Sequence, residues 1–431
     1  MILRSLAEWL EYIERGHPQT IAMGLDRVCA VRDALGLEAG LKPTFPILTV
    51  GGTNGKGSAC CMLEAILDHA GYKTGCYTSP HLLRYNERVR IAKLDAEDVV
   101  LVRAFAAVED ARQNTGVPLT YFEMGTLAAL WLFVDARVDV AILEVGLGGR
   151  LDAVNVFEPE CALVMSVAMD HMDYLGDTRD KIGFEKAGIF RAGKPAICAD
   201  ADPPAALVAH AADIGAYLQV RGRDFDAHVN GAQWSYGGPG GARHGMPWPA
   251  LRGAYQLHNA AACIAALDTL RPRLPVTMND IRTGLLTAEN PGRFQVLPGQ
   301  PVVILDVAHN PHAAQAMVSG LKGLAKGGRV LAVFAMLADK DIAAVAAIVK
   351  PHVGHWYVAG LAGPRGTTAE HIAGVLSAVG VNAVTECKTV LDACTAARAA
   401  ATADDKIIIF GSFHTVAEAM QAVGAGVLLR R

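Results

Sequence analysis

The stretch Gly51 to Ser58, GGTNGKGS, sets four glycines around one lysine and one serine, between the apolar run FPILTV and the helix-like pattern CCMLEAILDHAGY. A glycine loop between a buried strand and a helix lets backbone N–H groups face an anion, and the helix N-terminus adds a favourable dipole. The standard phosphate-binding loop reads G-x-x-x-x-G-K-[ST], whereas here Gly57 separates Lys56 from Ser58 and the first spacing is altered. Lys56 would neutralise phosphate charge and Ser58 would bind Mg2+. The alternative is a tight turn with an exposed lysine.

A nucleotide bound with Mg2+ calls for a carboxylate at the end of a neighbouring strand, and VDVAILEVGLGGRLDAVN puts Glu144 directly after four apolar residues. Its alternative role is an acid capping a glycine turn. In SVAMDHMDYLG, Asp170, His171 and Asp173 crowd a strand terminus, where a neutral imidazole can join a divalent ion or serve as a hydrogen-bonded structural residue. Lys186, in KIGFEKAGIF, has Ile182, Phe184, Ile189 and Phe190 around it. Desolvation would favour its nucleophilic amine form, although the residues alone favour a helix lysine snorkelling to water.

The basic segment SPHLLRYNERVRI carries Arg84, Arg88 and Arg90 beside an apolar tip, and can grip a carboxylated planar substrate or form a solvated turn. In the second half, PGRFQ supplies Arg293, and ILDVAHNPHA supplies Asp306 and His309 at another strand end. Asp306 either faces a nucleotide or caps the following helix, since Asn310–Pro311 also favours a turn there. Ser412, His414 and Thr415 open the helix of GSFHTVAEAM as ordinary caps or as a carboxylate seat.

Elements must hold these residues in place. A chain of 431 residues makes two or three domains. With 52% hydrophobic residues, 6% aromatics and 44 glycines it has the balance of an α/β enzyme. A net charge of −4 gives no whole-protein field for nucleic acid or an anionic membrane. Nine scattered cysteines without a C-x-x-C pair support neither a disulfide framework nor a zinc ribbon, and fit a reducing cytoplasm. The N-terminus, MILRSLAEWLEYIERG, alternates apolar and charged residues unlike a signal peptide. No uncharged run of about 18 apolar residues suggests a membrane span.

The periodicity predicts a helix over Leu6 to Glu14 and a first strand over Ile47 to Val50. Further short apolar runs end abruptly in Gly, Asp or His: VDVAILEVGLGG, CALVMSVAMDHMD, KPAICAD, PVVILDVAHNP, VLAVFAML, HWYVAG and KIIIFGSFHT. Helical patterns lie between most of them, which predicts parallel sheets covered on both faces, with ligand groups at the carboxyl ends of strands. Residues 222 to 250 turn Gly-rich with Trp-bearing alternation and read as a hairpin or small antiparallel extension. TAENPGRFQVLPGQP reads as an interdomain hinge, dividing the chain into domains 1–292 and 293–431.

Taken in order, TVGGTNGKGS, TSPHLLRYNERVRI, FEMGTLAAL, ILEVGLGGRLDAVN, DHMDYLG, IGFEKAGI, PGRFQ, DVAHNPHA and GSFHTVAEAM resemble the folylpolyglutamate synthase/dihydrofolate synthase branch of the Mur ligase superfamily. The resemblance covers essentially the whole chain. It implies an α/β protein with an N-terminal P-loop ATPase-like domain, built on a parallel-rich sheet, and a C-terminal Rossmann-like α/β domain. It implies an ATP-dependent ligase that adds L-glutamate to dihydropteroate and to reduced folates through an acyl phosphate. By motif, Asn54, Gly55, Lys56, Gly57 and Ser58 form the phosphate loop, and Ser58, Glu144, His171 and Lys186 surround two Mg2+ ions. Lys186 matches a lysine that is carbamylated in this superfamily, reversing the preference from its surroundings alone. Asn259, Arg293 and Asp306 match ATP-contacting positions; Asp306, His309 and Ser412 match positions holding the incoming glutamate. Pterin-side contacts fall to Ser79, Pro80, His81, Arg84 and Phe122. One departure is visible: the family's helix often continues HN-x-x-N, and here Ala262 stands at the later position.

The partners this implies are small molecules, with no nucleic acid or membrane, for a cytoplasmic monomer. Competing expectations are a monofunctional folylpolyglutamate synthase, a UDP-muramoyl amino-acid ligase, which would need a UDP-binding domain before the loop, and an ATP-hydrolysing switch that joins nothing.

Overall fold

The structure, a computed structural model, describes residues 5–17, 22–40, 42–324 and 327–422. It divides into two compact units: residues up to Ala250 with Leu257–Ala288, and Leu251–Gln256 with the residues from Glu289 onward. The division expected at residue 293 differs in giving 251–256 and 289–292 to the first domain.

In the first unit the strands are β1 (Ile47–Gly51), β2 (Thr74–Tyr77), β3 (Val89–Ile91), β4 (Leu94–Asp95), β5 (Val140–Glu144), β6 (Cys161–Val164), β7 (Pro195–Cys198) and β8 (Tyr217–Val220). They form one sheet in the order β4-β3-β2-β5-β1-β6-β7-β8. From β2 to β8 all neighbours run parallel, and β3 and β4 add an antiparallel edge. β1 and β5 are buried along their whole length, as apolar strands covered on both faces must be. β1 lies between β5 and β6, so their carboxyl ends, which carry Gly51, Glu144 and Val164, share one edge of the sheet.

The helix Lys56–His69 follows β1, and every residue from Ser58 to Leu67 in it is buried. A helix covered on all sides needs close neighbours. Gly284, on the helix Met278–Thr287, supplies one: a Cβ there would stand 2.5 Å from the Ile66 Cα. Elsewhere in the unit, Phe133 lies against Gly75 of β2, where a Cβ would reach within 2.7 Å of the ring. Trp9, Phe105 and Leu127 extend that core. Capping boxes start the helices Leu6–Glu14 (Ser5 with Glu8) and Tyr121–Asp135 (Thr120 with Glu123). The expected extension over 222–250 is a three-stranded antiparallel sheet of β9 (Asp226–Asn230), β10 (Gln233–Gly237) and β11 (Arg243–Met246), with β10 central.

The second unit holds β12 (Gln295–Leu297), β13 (Val302–Asp306), β14 (Val330–Phe334), β15 (His355–Ala359), β16 (Val384–Cys387) and β17 (Lys406–Phe410). Their order is β12-β13-β17-β14-β15-β16, parallel except for the β12 edge. β17 sits between β13 and β14, so the segments after Asp306, Phe334 and Phe410 emerge side by side. The α/β architecture with two parallel-rich sheets is the fold class expected from the sequence. All nine cysteines are free thiols. Among the described residues no helix is long and apolar enough to cross a membrane.

Candidate active site

The glycine loop leaves the end of β1 and turns into the helix Lys56–His69 with Gly55 as N-cap at φ +92°, a left-handed conformation that suits glycine. Neighbouring backbone pins it: Thr53 N donates to Ser166 O at 2.7 Å, Thr53 Oγ1 to Ala168 O at 3.1 Å, and Asn54 N to Ser166 Oγ at 3.0 Å. The Lys56 ammonium donates back into the loop, to Gly52 O at 2.9 Å and Thr53 O at 3.3 Å. It is not the exposed lysine of a plain turn. Asn259 comes alongside from the helix Tyr255–Thr269: its Oδ1 lies 2.9 Å from the position of a Cβ on Gly55.

Ser58 and Glu144 are both 3% exposed. Glu144 closes β5 opposite Val50 of β1, and its Oε2 accepts the Ser79 N–H at 2.9 Å. It caps no glycine turn in doing so. His171 has a left-handed backbone (φ 51°), and its N–H donates to Asp170 Oδ1 at 2.9 Å. Lys186 lies on the helix Arg179–Ala187 and is 4% exposed. The snorkelling expected from the residues alone does not occur. Burial, reinforced by the Lys56 ammonium, lowers Lys186 to about 7, against the pull of Asp170 and Asp152.

The segment after β2 gives a divided result. The Ser79–Pro80 peptide is cis. His81 Nδ1 accepts from Arg88 Nε at 2.8 Å, and Arg88 lies over the Tyr85 and Tyr121 rings. Phe122 stands 5.9 Å from the Tyr77 ring and fills the space beside Gly146. Arg84, in contrast, pairs with Asp98 at 3.3 Å with its side chain 68% exposed, which is the solvated turn. Arg90 does not face a substrate-binding surface; it is turned inward onto Glu64.

Sequence reasoning passed over Asp152. It is 5% exposed, accepts N–H groups from Leu147 at 2.8 Å and Val154 at 3.0 Å, and is pushed up to about 6 by burial, against those donors and Lys56. Its signal was available, because the acid lies in the same loop that follows Glu144.

In the second unit, Asp306 closes β13 and accepts N–H groups from Phe294 at 2.9 Å and Ala308 at 2.7 Å. The helix Pro311–Lys322 is capped instead by Asn310. Burial pushes Asp306 up to about 6, opposed by Arg293 and these donors. Arg293 lies over the Phe413 ring at 5.1 Å. His309 Nδ1 donates to Val307 O at 2.8 Å, so in the neutral ring Nε2 is the acceptor nitrogen. Ser412 Oγ accepts the Thr415 N–H at 3.0 Å, and Thr415 Oγ1 donates to Ala335 O at 2.7 Å. Ordinary capping is therefore present at Ser412.

Among the described residues no group of three or more His, Cys, Asp or Glu side chains is arranged to hold a metal by itself. The candidate donors are a hydroxyl, a carboxylate and an imidazole on elements around the glycine loop. That oxygen-rich set fits a hard divalent ion that takes its remaining ligands from phosphate and water.

Two family models match the chain: the Mur ligase middle domain over residues 50–267 and the Mur ligase glutamate ligase domain over 292–413. The dihydrofolate synthase/folylpolyglutamate synthase of Escherichia coli (strain K12) is 47% identical, covering 97% of this chain and 96% of that protein. Its counterpart from Haemophilus influenzae is 38% identical, covering 96% of each. A solved structure of E. coli FolC in complex with DHPP and ADP has a TM-score of 0.92 at 46% identity, covering 98% of this chain and 99% of that one. A bifunctional folylpolyglutamate synthase/dihydrofolate synthase solved with Mn, AMPPNP and L-glutamate bound has a TM-score of 0.89 at 45% identity, covering 98% of both. Agreement over nearly the full length of both partners places this chain in the dihydrofolate synthase/folylpolyglutamate synthase family of Mur ligases.

Proposed function

We propose that this protein is an ATP-dependent amide ligase that joins L-glutamate to dihydropteroate, giving dihydrofolate, and to reduced folates, giving polyglutamates. The observation that carries this reading is the glycine loop pinned at Thr53 and Asn54, leading through Gly55 into the helix that begins at Lys56, with the buried Glu144 at the end of the neighbouring strand. The relatives solved with ADP, with AMPPNP and Mn, and with L-glutamate support it.

A carboxylate is a poor electrophile toward an amine. Bound ATP would supply the γ-phosphoryl group that turns it into an acyl phosphate, with ADP leaving and divalent ions neutralising charge; the glutamate amine then opens the acyl phosphate, releasing phosphate and a proton as the amide forms. The chain's own part is placement. Gly55, Lys56, Gly57 and Ser58 would cradle phosphate with backbone N–H groups and one ammonium, beside Asn54, whose own N–H is held by Ser166 Oγ, and Asn259 borders the nucleotide. Ser58, Glu144 and His171 would hold the metal ions.

Lys186 fits carbamylation, because a buried amine near neutrality reacts with CO2 and loses a proton to become an anionic oxygen donor. His81, Arg88, Phe122 and the Ser79–Pro80 turn form the aromatic and basic wall suited to a pterin. In the second unit, Arg293 and Asp306 serve the nucleotide, while Asp306, His309 and Ser412 hold glutamate. We assign the enzyme to the cytoplasm as a monomer, in keeping with its free thiols.

The test supplies purified protein with ATP, Mg2+, L-glutamate and either dihydropteroate or tetrahydrofolate, and reads products by mass. Addition of one glutamyl residue to dihydropteroate and of one or more to tetrahydrofolate is expected. Addition to tetrahydrofolate alone would leave a folylpolyglutamate synthase, and addition to neither would refute the reading.

A further inference from the structure

Arg90 in β3 is an arginine that the sequence groups with substrate contacts and that the structure puts to another use. Its Nε and Nη2 clasp the Glu64 carboxylate at 2.9 and 2.8 Å, on the helix that follows the glycine loop. Its Nη1 donates to Thr78 Oγ1 at 3.2 Å and to Glu87 O at 3.1 Å. Nη2 also faces Cys76 Sγ at 3.2 Å. One planar guanidinium thus ties together the loop's helix, the end of β2 and the turn Tyr85–Arg88.

The residue after Thr78 is Ser79, whose N–H donates to Glu144 Oε2. Around the same turn, Thr78 N donates to Arg88 O at 2.9 Å, and the Glu87 carboxylate accepts from Leu82, Leu83 and Arg84 N–H groups at 2.7, 2.8 and 2.7 Å. The Arg90 and Glu64 side chains are 16% and 5% exposed. A buried ion pair is weak evidence for stability, since packed apolar residues of similar size commonly do as well. A fork with fixed geometry is better explained by what it orients.

We propose that Arg90, braced by Glu64, is a positioning residue: it fixes the Thr78–Ser79 turn so that the Ser79 N–H holds the Glu144 carboxylate in its metal-binding orientation. This rests on the reading of Glu144 as a metal ligand given above. Residues that orient ligands in this way change metal affinity about 10- to 100-fold when removed. Arg90→Lys keeps a charge opposite Glu64 but loses the fork. Thr78→Val keeps shape and loses only the hydroxyl. Glu64→Gln/Arg90→Met removes both buried charges together, so neither is left unpaired.

The experiment titrates Mn2+ into each full-length variant with AMPPNP present, following free Mn2+ by electron paramagnetic resonance. The Mg2+ activation constant and the KM for glutamate are measured alongside. Mn2+ binding is expected to weaken about tenfold in Arg90→Lys and the double variant, and a few-fold in Thr78→Val, with the glutamate KM unchanged. Wild-type Mn2+ binding in Arg90→Lys and Thr78→Val overturns the proposal, and these two decide it even where the double variant does not fold. Glu144→Gln separates the layers. If it binds Mn2+ normally, the ligand assignment itself is wrong. If it loses Mn2+ while the Arg90 and Thr78 variants do not, only the positioning role falls.

Discussion

Asn259 Oδ1 lies 2.9 Å from the point where a Cβ on Gly55 would sit, and Gly55 holds φ at +92°. Two restrictions meet at one residue: the backbone favours glycine, and the space a side chain would enter is occupied by a polar group from a helix far along the chain. Gly55→Ala should therefore cost about 1–2 kcal/mol for the left-handed conformation before the contact with Asn259 is counted. Most of the loss should fall on the nucleotide. Calorimetric titration with AMPPNP and Mg2+ is expected to show affinity down by about tenfold or more, and an unchanged value would contradict the cradle.

Removal of the Glu144 charge should affect turnover far more than folding. Glu144→Gln keeps an acceptor oxygen for the Ser79 N–H and loses the anion. Steady-state ligase assays are expected to show kcat down roughly 100-fold or more, with a melting temperature close to wild type. Appreciable residual turnover would contradict its assignment to the metal.

Lys186 should take up CO2. An ordinary lysine is neutral in fewer than roughly one molecule in a thousand at neutral pH, whereas burial brings this one to about 7. Carbon-13 NMR with labelled bicarbonate is expected to show one protein carbamate whose occupancy rises between about pH 6 and 8 as the amine loses its proton. It should be absent from Lys186→Arg. A carbamate signal surviving in that variant would place it elsewhere.

The strand architecture was legible where apolar runs stop at a chemistry-bearing residue. Within VDVAILE and PVVILD, residues 140–144 and 303–306 are buried and end at Glu144 and Asp306, so strand and candidate site announce themselves together. β2, Thr74–Tyr77, and β16, VTEC, are four residues each, too short for periodicity to separate from their surroundings. Arg90 and Lys186 were hidden for a different reason. Composition shows a charge but not its partner, and only the fold reveals that one is clasped by Glu64 and the other buried within reach of Lys56, Asp170 and Asp152. Segment 251–256 joined the second unit unannounced, since no composition change marks it.

Asp405 offers a prediction about stability alone. It accepts N–H groups from Arg329 at 2.6 Å and Thr402 at 2.8 Å and pairs with the Arg329 guanidinium at 2.8 Å. The Arg329 hydrogen bond, followed by these backbone donors, holds its carboxyl below the ordinary value of 3.8. A carboxyl with a depressed folded pKa stabilises the native state above its unfolded pKa and loses that contribution as pH falls through the folded one. Asp405→Asn should therefore lower the melting temperature at pH 7, with the gap narrowing in melts run below about pH 4. A gap independent of pH would contradict the charge-based account.

The central claim is that ATP is spent to couple glutamate to a folate precursor. Its most direct measurement is phosphate released by the purified full-length protein, with Mg2+ and ATP, while dihydropteroate and L-glutamate are each omitted in turn. The account predicts sustained release only when both are present, matched one for one by dihydrofolate. Release at the same rate without either would contradict it and describe a nucleotide switch.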